Sequence, residues 1–234
     1  MSAAVSPETA QGYPGAVTGR SPAPSFRPER FKAFVDAVVA IAMTLLILPL
    51  TDSVAEAAAD HLDTAEFLAA HAGQLLSFGL SFLLIAVFWM GHHSQYREVQ
   101  AVTPALLWIN VAWMATIVWL PVPTAMIGQM EPDPLQAVFY IGTLLLTQVT
   151  TLAGWLYLQR HGELITAPPA VIRGGIAGDL AAIVLFAIAL VIAVAASPNG
   201  YLGLLVLLLS SPLSRLLNRI VQRRHRDSHP ATPE

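Results

Sequence analysis

The sequence predicts an all-α membrane protein with six transmembrane helices per subunit. Apolar residues fill 55% of its 234 positions, charged residues only 12%, and the mean hydropathy is +0.61, outside the range of a soluble domain. Six stretches reach the roughly 20 apolar residues that a bilayer crossing requires: 31–50, 74–93, 104–127, 135–159, 173–197 and 201–220. If these alternate in direction, every Lys and Arg falls on one side of the membrane.

That sidedness fixes the expected orientation. Arg20, Arg27, Arg30 and Lys32 precede the first helix, Arg97 follows the second, Arg160 and Arg173 flank the connection after the fourth, and Arg215, Arg219, Arg223, Arg224 and Arg226 close the chain. The positive-inside rule then places both termini in the cytoplasm. The opposite connections carry Asp52, Glu56, Asp60, Asp63, Glu66, Glu131 and Asp133 without a basic residue, so the outer face is acidic. Five or seven spans would scatter the basic residues over both sides.

Residues 1–28 are rich in Pro, Ala, Ser and Gly and lack the apolar core of a signal peptide. They read as a disordered tail, 29–222 as the six-helix domain and 223–234 as a basic cytoplasmic tail. Cysteine is absent, which excludes disulfides and thiolate metal sites. There is no HExxH, GxSxG or phosphate-cradling glycine loop. The helices consume nearly all of the ordered chain, so neither an enzyme nor a cofactor is expected. The preponderance of Arg over Lys fits high-GC bacterial coding, which points to a multi-pass protein of a bacterial plasma membrane.

The first helix opens on Arg30 and Lys32, carries Asp36 in its early turns and continues apolar to Leu50. Ile41, Thr44, Leu45 and Leu48 stand at i, i+3, i+4 and i+7 and share one face. Such a stripe contacts lipid, packs in a core or lines a pore; the hydroxyl of Thr44 and the charge of Asp36 below it favour lining. Ala37, Ala40 and Ala42 permit close helix approach. After it, residues 51–72 hold good helix formers, with Asp52, Glu56 and Asp60 recurring every four residues. The connection therefore continues as a helix outside the membrane, forming a solvated acidic face or a cation-concentrating vestibule.

The second helix ends on Trp89, His92 and His93, and the third carries Asn110 six residues after Pro104. The fourth is mostly apolar, the fifth has Asp179 six residues after Arg173, and Ser197 to Gly200 turn the chain into the sixth. Asp36 is likewise six residues past Arg30, so Asp36, Asn110 and Asp179 lie about 9 Å along their helices, level with the end of the second. A carboxylate near mid-membrane costs about 2.5–3.5 kcal/mol and takes a partner. For Asp36 the partner is expected to be His92 or His93. The resulting layer either fixes helix packing or relays protons, and the latter makes a proton-coupled secondary transporter using Asp36 and His92 or His93 the alternative function. Neighbouring helical residues point about 100° apart, so His92 and His93 are not expected to bind metal.

Arg30, Phe34 and Asp36 match the R-x-x-x-F-S-D signature that opens the first helix in prokaryotic relatives of the endolysosomal potassium channel, transmembrane protein 175, which this chain resembles. Also similar are AIAMTLLILPL after Asp36; Ser77 and Phe78; Trp89, His92 and His93; and Pro104, Asn110, Leu120 and Pro121. The resemblance covers 30–124, and the signature serine is replaced by Val35. It implies a homotetramer in the lipid bilayer with the first helices around a central potassium-permeable pore and potassium ions as the permeant species. It further implies a hydrophobic gate at Ile41, with rings at Leu45 and Leu48 beyond it, and ion preference at Thr44. The polar network implied is Arg30, Phe34, Asp36, Trp89, His92, His93 and Asn110. The family has no carbonyl selectivity filter, and no TVGYG-like loop occurs here.

Overall fold

The computed structural model describes residues 27–195, and among these the regular elements are all helical. Five helical runs are long and apolar enough to cross a membrane: Pro28–Ala59, Ala72–Tyr96, Pro104–Gln129, Pro134–Arg160 and Pro169–Ala195. They correspond to the first five predicted spans. The sixth, at 201–220, lies outside the described residues, as do the turn at 197–200, the C-terminal tail and all but the end of the predicted N-terminal tail.

Proline divides two of the five runs. The first was predicted as one uninterrupted span, but α1 (Pro28–Leu45) stops at a turn through Leu46 and Ile47, and α2 (Leu48–Ala59) follows. Pro49 is the cause: it has no N–H, and its ring displaces the carbonyl of Leu45, four residues earlier. Leu48 therefore stands immediately after the break, as the first residue of α2, rather than on the same unbroken helix as Ile41. In the third run, Pro121 likewise separates α5 (Pro104–Trp119) from α6 (Pro121–Gln129).

The connection at 51–72 is helical as expected, comprising the rest of α2 and a short α3 (Thr64–Ala70). A capping box starts α3: Asp63 Oδ1 accepts from the Glu66 N–H and Glu66 Oε2 from the Asp63 N–H, both at 2.8 Å, satisfying two otherwise orphaned donors. Next come α4 (Ala72–Tyr96), α7 (Pro134–Arg160) and α8 (Pro169–Ala195). The α5 and α7 N-termini are capped by Thr103 and Asp133 and begin with proline, whose missing N–H costs nothing in a first turn.

Helix α7 packs between α5 and α8, α4 lies against α6, and α1 lies across α4 and α5. The α7–α8 contact is close because position 175 is glycine; a Cβ there would run into the indole of Trp155. At one end, the connections after α4 and after α7 pair directly. Val99 and Ile165 form an isolated antiparallel bridge, with Gln100 N donating to Leu164 O at 2.8 Å and Thr166 N to Glu98 O at 3.1 Å. Lys32 Nζ reaches Arg97 O at 3.2 Å, so this end collects Lys32, Arg97, Arg160 and Arg173. The other end carries α2, α3 and the acidic connection before α7.

Candidate pore face and its polar layer

The two sides of α1 differ sharply in burial. Phe31, Val35, Val39, Ala42 and Leu46 follow steps of three and four and are 5%, 1%, 2%, 0% and 3% exposed, respectively. They form the helix's contribution to the subunit core. On the other side Ile41, Leu45 and Leu48 are 58%, 38% and 52% exposed, and Thr44 is exposed with them. The predicted stripe is thus left uncovered by the described residues of its own subunit, and it remains so across the break before Leu48. Thr44 Oγ1 donates to Ile41 O at 2.8 Å. This occupies its proton within the helix and leaves the oxygen lone pairs directed outward.

The polar residues at the basic end form two clusters. In the first, Trp89 Nε1 donates to Asp36 Oδ1 at 2.7 Å, a charge-assisted bond joining α4 to α1. The expected partner was a histidine; the indole wins because Trp89 is one turn nearer the depth of Asp36 than His93 and on the same face. His93 is exposed and lies beside the Trp89 ring at a centroid distance of 5.8 Å. In the second cluster, buried His92 shares a 2.7 Å hydrogen bond between Nε2 and Asn110 Oδ1. The Asn110 amide donates to Tyr96 Oη and to Leu106 O, each at 2.7 Å. The His92 ring is sandwiched between Tyr96, at 4.4 Å, and Trp113, at 4.2 Å.

Arg30 and Phe34 lie on the exposed side of α1 and join neither cluster among the described residues. Asp179 on α8 also stays apart, with Oδ2 buried and no hydrogen-bond partner among the described residues. Val35, in the serine position of the signature, is fully packed in the core, where it supplies apolar contact. Two members of the second cluster were not anticipated. Tyr96 is four residues after His92 and Trp113 three after Asn110, spacings that put each pair on one helix face.

Further buried polar contacts tie the bundle together nearer the acidic end. Ser81 Oγ meets Tyr140 Oη at 2.9 Å and receives Thr124 Oγ1 at 2.8 Å, while Thr147 Oγ1 donates to Thr116 Oγ1 at 2.9 Å. These hydroxyls join α4, α6 and α7, then α5 and α7, as interhelical hydrogen bonds do where no water competes. The polar side chains at these levels therefore face the subunit interior.

A basic end, an acidic end, apolar outer surfaces and hydrogen-bonded polar groups inside define a multi-pass helical membrane protein whose first span keeps one face uncovered. Residues 30–121 match the family model described as the endosomal/lysosomal potassium channel TMEM175. A potassium channel of Streptomyces collinus is 30% identical over 149 residues, covering 60% of this chain and 71% of that one. The human endosomal/lysosomal proton channel TMEM175 is 30% identical over 158 residues, covering 63% of this chain but only 31% of the human protein. The fold is similar to the crystal structure of a lysosomal potassium-selective channel TMEM175 homologue from Chamaesiphon minutus, with a TM-score of 0.59, 23% identity and coverage of 82% of this chain and 97% of that one. The chain belongs to the TMEM175 family.

Proposed function

We propose that this chain is one subunit of a potassium-permeable homotetrameric channel, with six spans per subunit, cytoplasmic termini and a place in a bacterial plasma membrane. The observation that carries this reading is the uncovered stripe. A spanning helix that buries Val35, Val39 and Ala42 in its own subunit while exposing Ile41, Thr44, Leu45 and Leu48 has the two-sided form required of a pore helix. Four copies around an axis would place four isoleucines at a constriction, with rings of Leu45 and Leu48 beyond. Such a constriction excludes water, and an ion cannot cross it while shedding its hydration shell. Opening spreads the first helices until the lumen wets.

Selectivity in this reading uses no carbonyl filter. Four Thr44 hydroxyls, each with its proton turned back to Ile41 O, would offer oxygen to a partly hydrated cation just past the gate. The acidic outer end would raise the local cation concentration. Potassium is the permeant species, no cofactor is needed and no enzymatic step is involved. Asp36, Trp89, His92 and Asn110 act in packing within the subunit, and Arg30, Phe34 and His93, exposed on it, act in assembly between subunits.

The transporter alternative has less support. Its relay requires Asp36 to exchange a proton with His92 or His93, whereas the hydrogen bond of Asp36 goes to Trp89 and that of His92 to Asn110. Purified protein in a planar bilayer should pass discrete potassium currents, and Ile41→Ala should raise them by widening the constriction. Saturable uptake driven by a pH gradient, without unitary currents, would establish the transporter instead.

A further inference from the structure

The Pro49 carbonyl is the most heavily engaged acceptor at the break in the pore helix. It receives Ser53 Oγ at 3.0 Å from its own helix, Gln74 Nε2 at 3.0 Å from the start of α4, and Gln129 Nε2 at 3.5 Å from the end of α6. Gln74 is buried and spends its amide on a residue of another helix. Such long polar side chains lose rotamer freedom when buried, so a position that needed only volume would be served by Leu or Met.

The surroundings explain what the amides do. Behind the break lies only a small cavity of about 10 Å³, bordered by Leu46, Leu50, Phe78 and Thr124. Leu46 and Leu50 are buried on that side, so apolar packing holds the junction there, but packing is non-directional and does not by itself fix its angle. Proline has already removed the helical hydrogen bond that would have stiffened the turn through Leu46 and Ile47. The turn keeps its local backbone bonds, Ile47 N to Thr44 O at 3.3 Å and Leu50 N to Ile47 O at 3.0 Å, and the pair of glutamine amides adds directional bonds that draw the junction toward α4 and α6. Leu48, adjacent in sequence, points the other way and is exposed.

We infer that Gln74, assisted by Gln129, is a positioning residue for conduction: through the Pro49 carbonyl it holds the outer part of the first helix back, keeping Leu48 away from the pore axis. This rests on the pore reading above. Loss of the clamp lets the junction swing away from α4 and α6, and Leu48 closes on the lumen.

The test compares single-channel records of Gln74→Met, which keeps length but not the donor, at matched tetramer content. Loss of one neutral hydrogen bond corresponds to about a fivefold fall in open probability. Gln129→Met, at an exposed side chain with the longer bond, should shift it less and in the same direction. The chain has no cysteine, so Leu48→Cys supplies a unique thiol whose modification by an external methanethiosulfonate reagent should slow in the Gln74→Met background. A merely structural glutamine would change melting without changing that rate. Assembled Gln74→Met channels with unchanged open probability and unchanged Leu48→Cys labelling overturn the inference. If Gln74→Met fails to assemble, unchanged labelling and gating in Gln129→Met overturn it. Absence of potassium currents in the unaltered protein defeats the channel reading instead, and the labelling comparison still reports whether Gln74 positions Leu48.

Discussion

Trp89 donates its indole N–H to Asp36 Oδ1 at 2.7 Å, so the carboxylate within the membrane-spanning part of α1 is held by the neighbouring helix. A hydrogen bond of this kind is worth about 0.5–3 kcal/mol, the upper part of that range applying when the acceptor is charged. Trp89→Phe keeps the aromatic volume and removes only the donor. It should lower the melting temperature of the detergent-solubilised protein by several degrees, whereas Asp36→Asn, whose Oδ1 still accepts, should lower it less. A larger loss for Asp36→Asn than for Trp89→Phe would show that the charge matters and the hydrogen bond does not.

His92 and Asn110 should behave as a coupled pair. His92→Phe preserves stacking on Tyr96 and Trp113 but leaves Asn110 Oδ1 without its partner, at a cost of about 1–3 kcal/mol. Adding Asn110→Leu removes the stranded oxygen, although Tyr96 Oη then loses its donor. The double variant should therefore be more stable than the sum of single losses predicts, measured by thermal unfolding at fixed detergent and pH. Simple additivity would mean that the two side chains do not share an energetic unit.

Thr44→Val replaces the hydroxyl with a methyl of the same shape. Conduction should persist while the preference for potassium over sodium declines, seen as a bi-ionic reversal potential moving toward zero. An unchanged reversal potential would remove Thr44 from ion selection.

Gly175→Ala tests the α7–α8 contact. The added Cβ meets the indole of buried Trp155, and overpacking of this kind costs about 1–3 kcal/mol. Thermal unfolding should show the loss, and Trp155→Phe should restore part of it in the Gly175→Ala background. A fully neutral Gly175→Ala would mean that the ring moves freely.

Much of this architecture is legible in the sequence because the membrane imposes simple rules. Apolar runs long enough to span, and basic residues confined to alternate connections, locate five helices to within a few residues. The stripe on α1 follows from periodicity alone, and burial separates it from Val35 and Val39 as the spacing requires. What periodicity does not convey is the local effect of proline inside an apolar run, so the breaks at Pro49 and Pro121 vanish into otherwise uniform hydropathy. Partner choice was also out of reach. Depth counting puts Asp36, Trp89, His92, His93 and Asn110 in one layer, but which of them meet depends on helix rotation, and rotation is set by the packing of Phe31, Leu106 and Trp113. Tyr96 escaped notice because a tyrosine at a helix end resembles an interfacial anchor until its hydroxyl is seen to receive the Asn110 amide.

The bridge between Val99 and Ile165 has a consequence for how the subunit is made. Its two strands of contact are separated in the chain by the whole of α5, α6 and α7, so during synthesis the segment around Val99 waits at the membrane surface while three helices are threaded and seated. Water satisfies the peptide groups of Glu98 and Gln100 until Leu164 and Thr166 arrive. The clasp then closes as a late event, and once closed it prevents α4 and α7 from drifting apart at that end. A subunit interrupted before Ile165 would retain its inserted helices yet lack the latch, leaving those peptide groups open to quality-control proteases.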